Sequence, residues 1–196
     1  MKTEQRGIGG YVLITMGIVL IVVIGWFFLS YNQLVHKEEA VKSAWSQVES
    51  NLQRKLDLLP NLVKVVKRYA AHEEKVLREI TALRSGMSEA LAKTNDPQQI
   101  STLNKKLDES IGQFMLSVER YPELKSSEQF LQLQSQIEGA ENRINITRMQ
   151  FNETVRDYNA YLRTIPANIV ASIGHFAPKA YFKADKAAHR KMELDL

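Results

Sequence analysis

At 196 residues, with 44% hydrophobic and 24% charged side chains, the chain has room for one membrane helix and one folded domain, and its composition is globular rather than disordered. The formal net charge of +4 is spread through sequence of mixed sign, without the concentrated basic stripe of a nucleic-acid-binding surface; so small an excess suits anionic lipid headgroups equally well. With no cysteine there can be no disulfide, thiolate nucleophile or Cys-ligated zinc.

The first element is a membrane span. No residue from 7 to 35 carries a full charge, and residues 11–29 (YVLITMGIVLIVVIGWFFL) are long enough to cross a hydrocarbon core of roughly 30 Å. Tyr11 at one end, with Trp26 and Tyr31 at the other, places amphipathic rings at the two headgroup levels, and Leu29 closes the apolar run of the anchor. A cleaved signal peptide is the competing reading, but the run exceeds an ordinary signal core and GWFFLSYNQ offers no small-x-small cleavage site. Basic groups flank the span almost evenly, Lys2 and Arg6 before it and Lys37 and Lys42 after it, with a slight lean to an inside N-terminus and a domain on the outer face.

Beyond the span, neither Gly nor Pro occurs from residue 26 to 59, and Leu34, Val41, Trp45, Val48, Leu52 and Leu59 form an amphipathic stripe. The membrane helix is therefore expected to continue as a stiff stalk of about 40 Å. Asp57-Leu58-Leu59-Pro60 reads as an N-cap with Pro in the first turn of a second helix, striped by Leu62, Val66, Tyr69, Val76, Ile80 and Leu83. The two stripes stay nearly in phase across Pro60, so one kinked helix is the alternative. Asn95-Asp96-Pro97 starts a third helix carrying Ile100, Leu103, Leu107, Ile111, Phe114 and Val118. Tyr121-Pro122 breaks the chain, and Ser126 with Gln129 suggests a capping box. The last long helix is striped by Phe130, Leu133, Ile137, Ile144, Phe151, Val155, Tyr158, Leu162 and Ile165 and ends at Pro166, with a short helical turn expected before Gly174.

Each helix has one apolar face and none can bury it alone. The expectation is an all-α fold: an antiparallel four-helix up-and-down bundle preceded by a single N-terminal transmembrane helix. The corresponding division is a short tail (1–7), the span (8–30), the helical domain (31–182) and a charged, flexible tail (183–196).

Several blocks resemble the LemA family: Tyr31-Asn32-Gln33-Leu34-Val35, Ala44-Trp45-Ser46-Gln47-Val48-Glu49, Asp57-Leu58-Leu59-Pro60-Asn61-Leu62-Val63, Val66-Lys67-Arg68-Tyr69-Ala70 and His72-Glu73. In the second half Tyr121-Pro122-Glu123-Leu124-Lys125, Glu141-Asn142-Arg143-Ile144, Phe151-Asn152, Tyr158-Asn159, Pro166, Gly174-His175-Phe176 and Tyr181-Phe182 agree, in order. The departures are Lys55 where an Arg pair is usual, Arg68 for Gly, Ser127 for Asn and Phe151 for Tyr. The resemblance implies a bacterial, single-pass inner-membrane protein with a helical bundle and no agreed activity. Some relatives take part in forming magnetosome membranes, and others are encoded beside membrane metalloproteases.

Chemistry finds few footholds. His72-Glu73-Glu74 begins like a zincin helix, but the second histidine would fall at Val76. The residues three before the four histidines are Gln33, Tyr69, Ser172 and Lys186, so no Glu-x-x-His di-iron motif exists. There is no phosphate loop and no G-x-S-x-G turn. Glu73 lies near the apolar stripe, which suits a buried hydrogen bond or ion pair. The polar residues of most interest are Arg54, Lys55, Asp57 and Asn61 near the second helix start, and Glu141, Asn142, Arg143 and Arg148 on the last helix. They read as a buried network holding helix register or as a partner surface.

The expected protein is a non-enzymatic scaffold or adaptor without cofactor. Its partners would be the lipid bilayer and a protein, such as a membrane protease or a membrane-organising complex, and it could form a homo-oligomer. The alternative is a regulatory adaptor or sensor for a membrane protease or signalling receptor, hinged at Pro60.

Overall fold

The computed structural model describes residues 4–94 and 96–182. In chain order it holds α1 (Glu4–Tyr69), a 3-10 turn (Ala71–Glu73), α2 (Glu74–Lys93), α3 (Pro97–Val118), the short α4 (Pro122–Lys125), α5 (Glu128–Leu162) and α6 (Ala167–Ile173). No strand occurs among the described residues. The fold is all-helical with a long apolar N-terminal helix, as the periodicity implies.

The helix start expected at Asp57-Pro60 is not made. Pro60 lies inside α1, and Asp57, instead of capping, accepts a bond from Gln53 Nε2 at 2.8 Å. A proline within a helix costs about 3 kcal/mol. Leu56, Leu59, Leu62 and Val66 around it are fully buried, and burying each contributes roughly 1.5–3 kcal/mol. Their sum exceeds the proline's cost, so the in-phase alternative wins. The chain breaks instead at Ala70, whose φ of −132° and ψ of 56° leave the helical region. That break shifts the phase of the next helix: α2 buries Leu77, Ile80, Met87 and Ala90, while Val76 and Leu83 of the expected stripe are half-buried.

Helix α3 starts as expected. Asp96 is its N-cap, accepting from Gln98 N at 2.9 Å, with Pro97 in the first turn; Asn95 lies outside the described residues. The box expected at Ser126 and Gln129 is replaced: Ser126 Oγ donates to the Glu123 carbonyl at 3.3 Å, and α5 begins at Glu128. Ile165, expected on the last stripe, is exposed because α5 ends at Leu162. The short turn before Gly174 is α6. The tail expected to be flexible, 183–196, lies outside the described residues.

The chain divides into two compact units. One combines α1 up to Val41 with Arg156–Lys179. Its residues 10–26 are exposed throughout, and packing begins at Phe27 and Ser30. The returning segment after α6 is held by Asn159, whose Nδ2 donates to the Lys179 carbonyl and whose Oδ1 accepts from Lys179 N, both at 2.9 Å. Lys179 Nζ meets Glu38 Oε1 at 2.6 Å and lies 5.9 Å from the centre of the Tyr158 ring. Tyr158 donates its hydroxyl to the Ala177 carbonyl at 3.2 Å. Burial, with the Glu38 charge adding to it, pushes this phenol up to about 12.

The other unit contains Lys42–Val155 together with residues 180–182. Trp45 packs on Phe151 and Phe182, Phe114 on Phe130, and α2 on α3. Asn152 fixes Phe182 by the same two-bond clamp that Asn159 uses, at 2.8 and 2.9 Å. Arg84 Nε of α2 reaches the Leu56 carbonyl of α1 at 3.0 Å. That carbonyl stands four residues before Pro60, which has no N–H to offer it, so the Arg84 guanidinium supplies the donor that the proline removes and joins two helices in doing so.

Candidate functional site: a buried lysine beneath an open cleft

In the second unit a charged side chain sits in the core. Lys55 falls between Leu52 and Leu59 at spacings of three and four, on the buried face of α1, and is 1% exposed. An ammonium in such a place must be paired and bonded to persist. Its three donors match three acceptors: Asn104 Oδ1 at 3.2 Å, Glu141 Oε2 at 2.6 Å, and Asp108 Oδ1. Asn104 and Asp108 are one turn apart on α3, and Asn104 Nδ2 donates to Asp108 Oδ2 at 2.8 Å. Three helices are thereby fastened to one nitrogen.

The two carboxylates are not sealed. Asp108 and Glu141 keep about a third of their side-chain surface, 36% and 34%, on the wall of an open cleft of about 450 Å³ between α3 and α5. Ile111, Met115 and Ile137 form its apolar wall, and Gln134, Glu138 and Asn142 its polar rim. Burial pushes the Asp108 carboxyl up to about 6, against the pull of Lys55 and with the Glu141 charge adding to the rise; Arg148 pulls weakly the other way. Proton uptake by Asp108 therefore removes one negative charge from the cluster.

A second polar contact lies at the Ala70 break. Glu73, 13% exposed, accepts from Arg120 Nη2 at 2.7 Å and from the Tyr121 hydroxyl at 3.1 Å. The metalloprotease-like His72-Glu73 thus has a structural use: Glu73 ties the 3-10 turn to the end of α3, while His72 is exposed.

Of the polar residues singled out by sequence, the structure brings Lys55, Glu141, Asn142 and Arg148 to the cluster and its cleft or within its electrostatic reach. Arg54, Asn61 and Arg143 are exposed and outside it, as is Asp57. Asn104 and Asp108 were not anticipated. Their signal was the lysine itself: a cation on a core stripe calls for carboxylates beside the stripes of neighbouring helices, and Asp108 adjoins Leu107. At the span, Tyr11, Trp26, Leu29 and Tyr31 are all exposed.

The described residues are all-helical, with one helix long and apolar enough to cross a membrane and a saturated charge cluster in the core. The LemA family model matches residues 44–195, most of the chain, and the chain belongs to the LemA family. It is 26% identical to Protein LemA of Metamycoplasma hominis, over 85% of this chain and 76% of that one. It is 23% identical to Magnetosome protein MamQ 2 of Paramagnetospirillum magneticum (84% and 68% covered) and 24% identical to Magnetosome protein MamQ of Magnetospirillum gryphiswaldense (83% and 68% covered). The apolar helix and the family together support a single-pass membrane protein.

Proposed function

We propose that this chain is a membrane-anchored, non-enzymatic scaffold or adaptor, built as an antiparallel four-helix up-and-down bundle, that recruits a protein partner or organises a bacterial membrane. The carrying observation is the saturation of Lys55. All three of its donors are committed to side chains of the same unit, so the most buried charge among the described residues holds helices in register and has no donor left for a substrate. The cleft above it, apolar on one wall and acidic on another, suits the docking of a helix with a basic residue. Two of the relatives are named as magnetosome proteins, which favours membrane organisation as the setting.

The test is site-specific photocrosslinking in intact cells. A photoreactive residue at Glu138 or Asn142, on the cleft rim, is expected to give a discrete adduct that mass spectrometry identifies. Absence of any adduct above background, from these positions and from others spaced round the bundle, would overturn the scaffold reading. Robust hydrolytic turnover by the purified full-length protein, with or without added metal, would overturn its non-enzymatic part.

A sensor or regulatory adaptor for a membrane protease or receptor is the second reading, favoured by Asp108, whose carboxyl changes charge near pH 6. The hinge that such a sensor would have used at Pro60 lies inside continuous helix, so the cluster itself must be the switch. Deleting the chain should then alter substrate turnover or signalling, and unchanged turnover would remove this reading.

A further inference from the structure

We propose that α6, with the residue pair leading into it, is a second membrane contact: a short amphipathic element lying in the headgroup region beside the anchor, its isoleucine ridge inserted into the acyl boundary. The inference rests on the reading of residues 11–29 as a lipid-embedded span, and goes beyond it by giving lipid a second site within the same unit.

The seven residues of α6 show two apolar faces. Ala167, Val170 and Ala171 are buried. At 100° per residue, Ile169 and Ile173 fall on the opposite side, and they are 57% and 61% exposed. Ile165, just before the helix, is 83% exposed. Asn168 and Ser172 form the polar flank. One exposed isoleucine needs no explanation, but three within nine residues, two of them one turn apart on α6, concentrate apolar surface on a very short element.

The occupant is identified by where the patch lies. The rings of Phe176 and Tyr31 meet edge to face, 5.5 Å apart. Gly174 allows this approach: a Cβ there would stand 2.7 Å from the Phe176 ring. Within the same unit the anchor's first fully covered residue is Ser30, directly after residues 11–29, which span about 28 Å at 1.5 Å per residue. That length matches the hydrocarbon thickness, so Ser30 and Tyr31 mark the headgroup level and Phe176 is held there. The C-terminal end of α6, three residues before Phe176, is thereby tied to the end of the anchor. The same unit carries basic groups suited to headgroup phosphates: Lys37, 5.6 Å from the centre of the Tyr161 ring, and exposed Arg163 just before α6. An apolar ridge with aromatic and basic neighbours is the arrangement of an interfacial helix.

Because the chain has no cysteine, single-cysteine variants give unique probe sites. Full-length Ile169→Cys and Ile173→Cys, with Val19→Cys in the anchor and Gln113→Cys at an exposed position of α3, would be labelled with an environment-sensitive fluorophore. The labelled proteins would then be reconstituted into vesicles of phosphatidylethanolamine and phosphatidylglycerol. The expected result is a blue-shifted emission at 169 and 173 relative to 113, quenching by lipids carrying a shallow nitroxide, and protection from aqueous dithionite. Reduction by dithionite to the same extent as at 113, with 19 still protected, would overturn the inference and leave the anchor standing. Protection from dithionite without nitroxide quenching would mean that protein covers the ridge, and would also overturn it. Loss of protection at 19 would bring down the anchor and this inference together.

Discussion

Replacing Lys55 by methionine keeps most of the side-chain volume and removes the ammonium that Asn104, Asp108 and Glu141 share. Deleting one partner of a sealed ion pair costs about 3–5 kcal/mol, because the stranded charge retains its desolvation penalty. Here two like charges are stranded together, which adds to the cost. Both face the cleft with about a third of their surface exposed, however, so water reaches them. Asp108, already near 6, can also escape by taking a proton. The balance is about 2–3 kcal/mol lost at alkaline pH, the lower part of the range for sealed pairs. By about pH 5, where Asp108 is largely neutral in parent and variant alike, only the Glu141 pair is forfeited and the loss falls to about 1–2 kcal/mol. Lys55→Arg, which keeps the charge but brings a bulkier guanidinium into a fully buried site, should cost about 1–3 kcal/mol through overpacking, with little dependence on pH. The assay is urea denaturation of the full-length proteins in detergent micelles, followed by circular dichroism at both pH values. A Lys55→Met loss below about 0.5 kcal/mol, within the range of an ordinary surface substitution, would show that the cluster does not hold the helices. A loss equal at the two pH values would show that Asp108 is not the titrating group.

Asp108→Asn tests the sign of the pH dependence. A carboxyl raised from 3.8 to about 6 on folding contributes stability that is full below about pH 4 and lost as pH rises through 6. At about 1.4 kcal/mol per pH unit the shift would be worth about 3 kcal/mol in a sealed site; screening at a group one-third exposed reduces it to about 1–2 kcal/mol. The parent should lose that much more than Asp108→Asn across the window, and identical pH slopes would refute it. Glu73→Gln weakens the tie to Arg120 and Tyr121 and should cost about 1–2 kcal/mol, read as a lowered midpoint in thermal denaturation; an unchanged midpoint would place the turn's stability elsewhere. Tyr158→Phe should cost about 1 kcal/mol through the lost bond to Ala177. In alkaline absorbance titration the same variant should lack the tyrosine that titrates near 12, and retention of that component would reassign it.

Much of the fold was legible because its governing signals are local or periodic. The cap at Asp96 with Pro97 needs only three adjacent residues and forms as its sequence implies. The stripe from Leu34 to Leu59 is buried at every position that the spacing selected. Pro60 was ambiguous for a physical reason: its local penalty is comparable to the burial of one or two leucines, and only the packed structure reveals how many neighbours are fully covered. The break at Ala70 had no strong local signal. Tyr69-Ala70-Ala71-His72 contains neither glycine nor proline, and the turn is fixed by contacts of Glu73 with residues 120 and 121, distant in sequence.

The site was legible to the extent that one member announced the rest. Lys55 stands on a core stripe, and a buried cation without carboxylates would cost too much to survive. Periodicity therefore requires acidic partners but cannot choose among candidates on three other helices; Glu141 could be named because it sits between Ile137 and Ile144. Asp108 lies one position off its own stripe, where an acidic residue ordinarily faces water, and only the inward reach of the lysine recruits it. The asparagine clamps show the same limit. Asn152 and Asn159, seven residues apart on α5, stand in two of the LemA-like blocks, yet their targets are main-chain groups of Phe182 and Lys179. Main-chain groups carry no side-chain identity for a sequence to display. A network is readable where its members differ in kind from their surroundings, and hidden where it is completed by groups that every residue possesses.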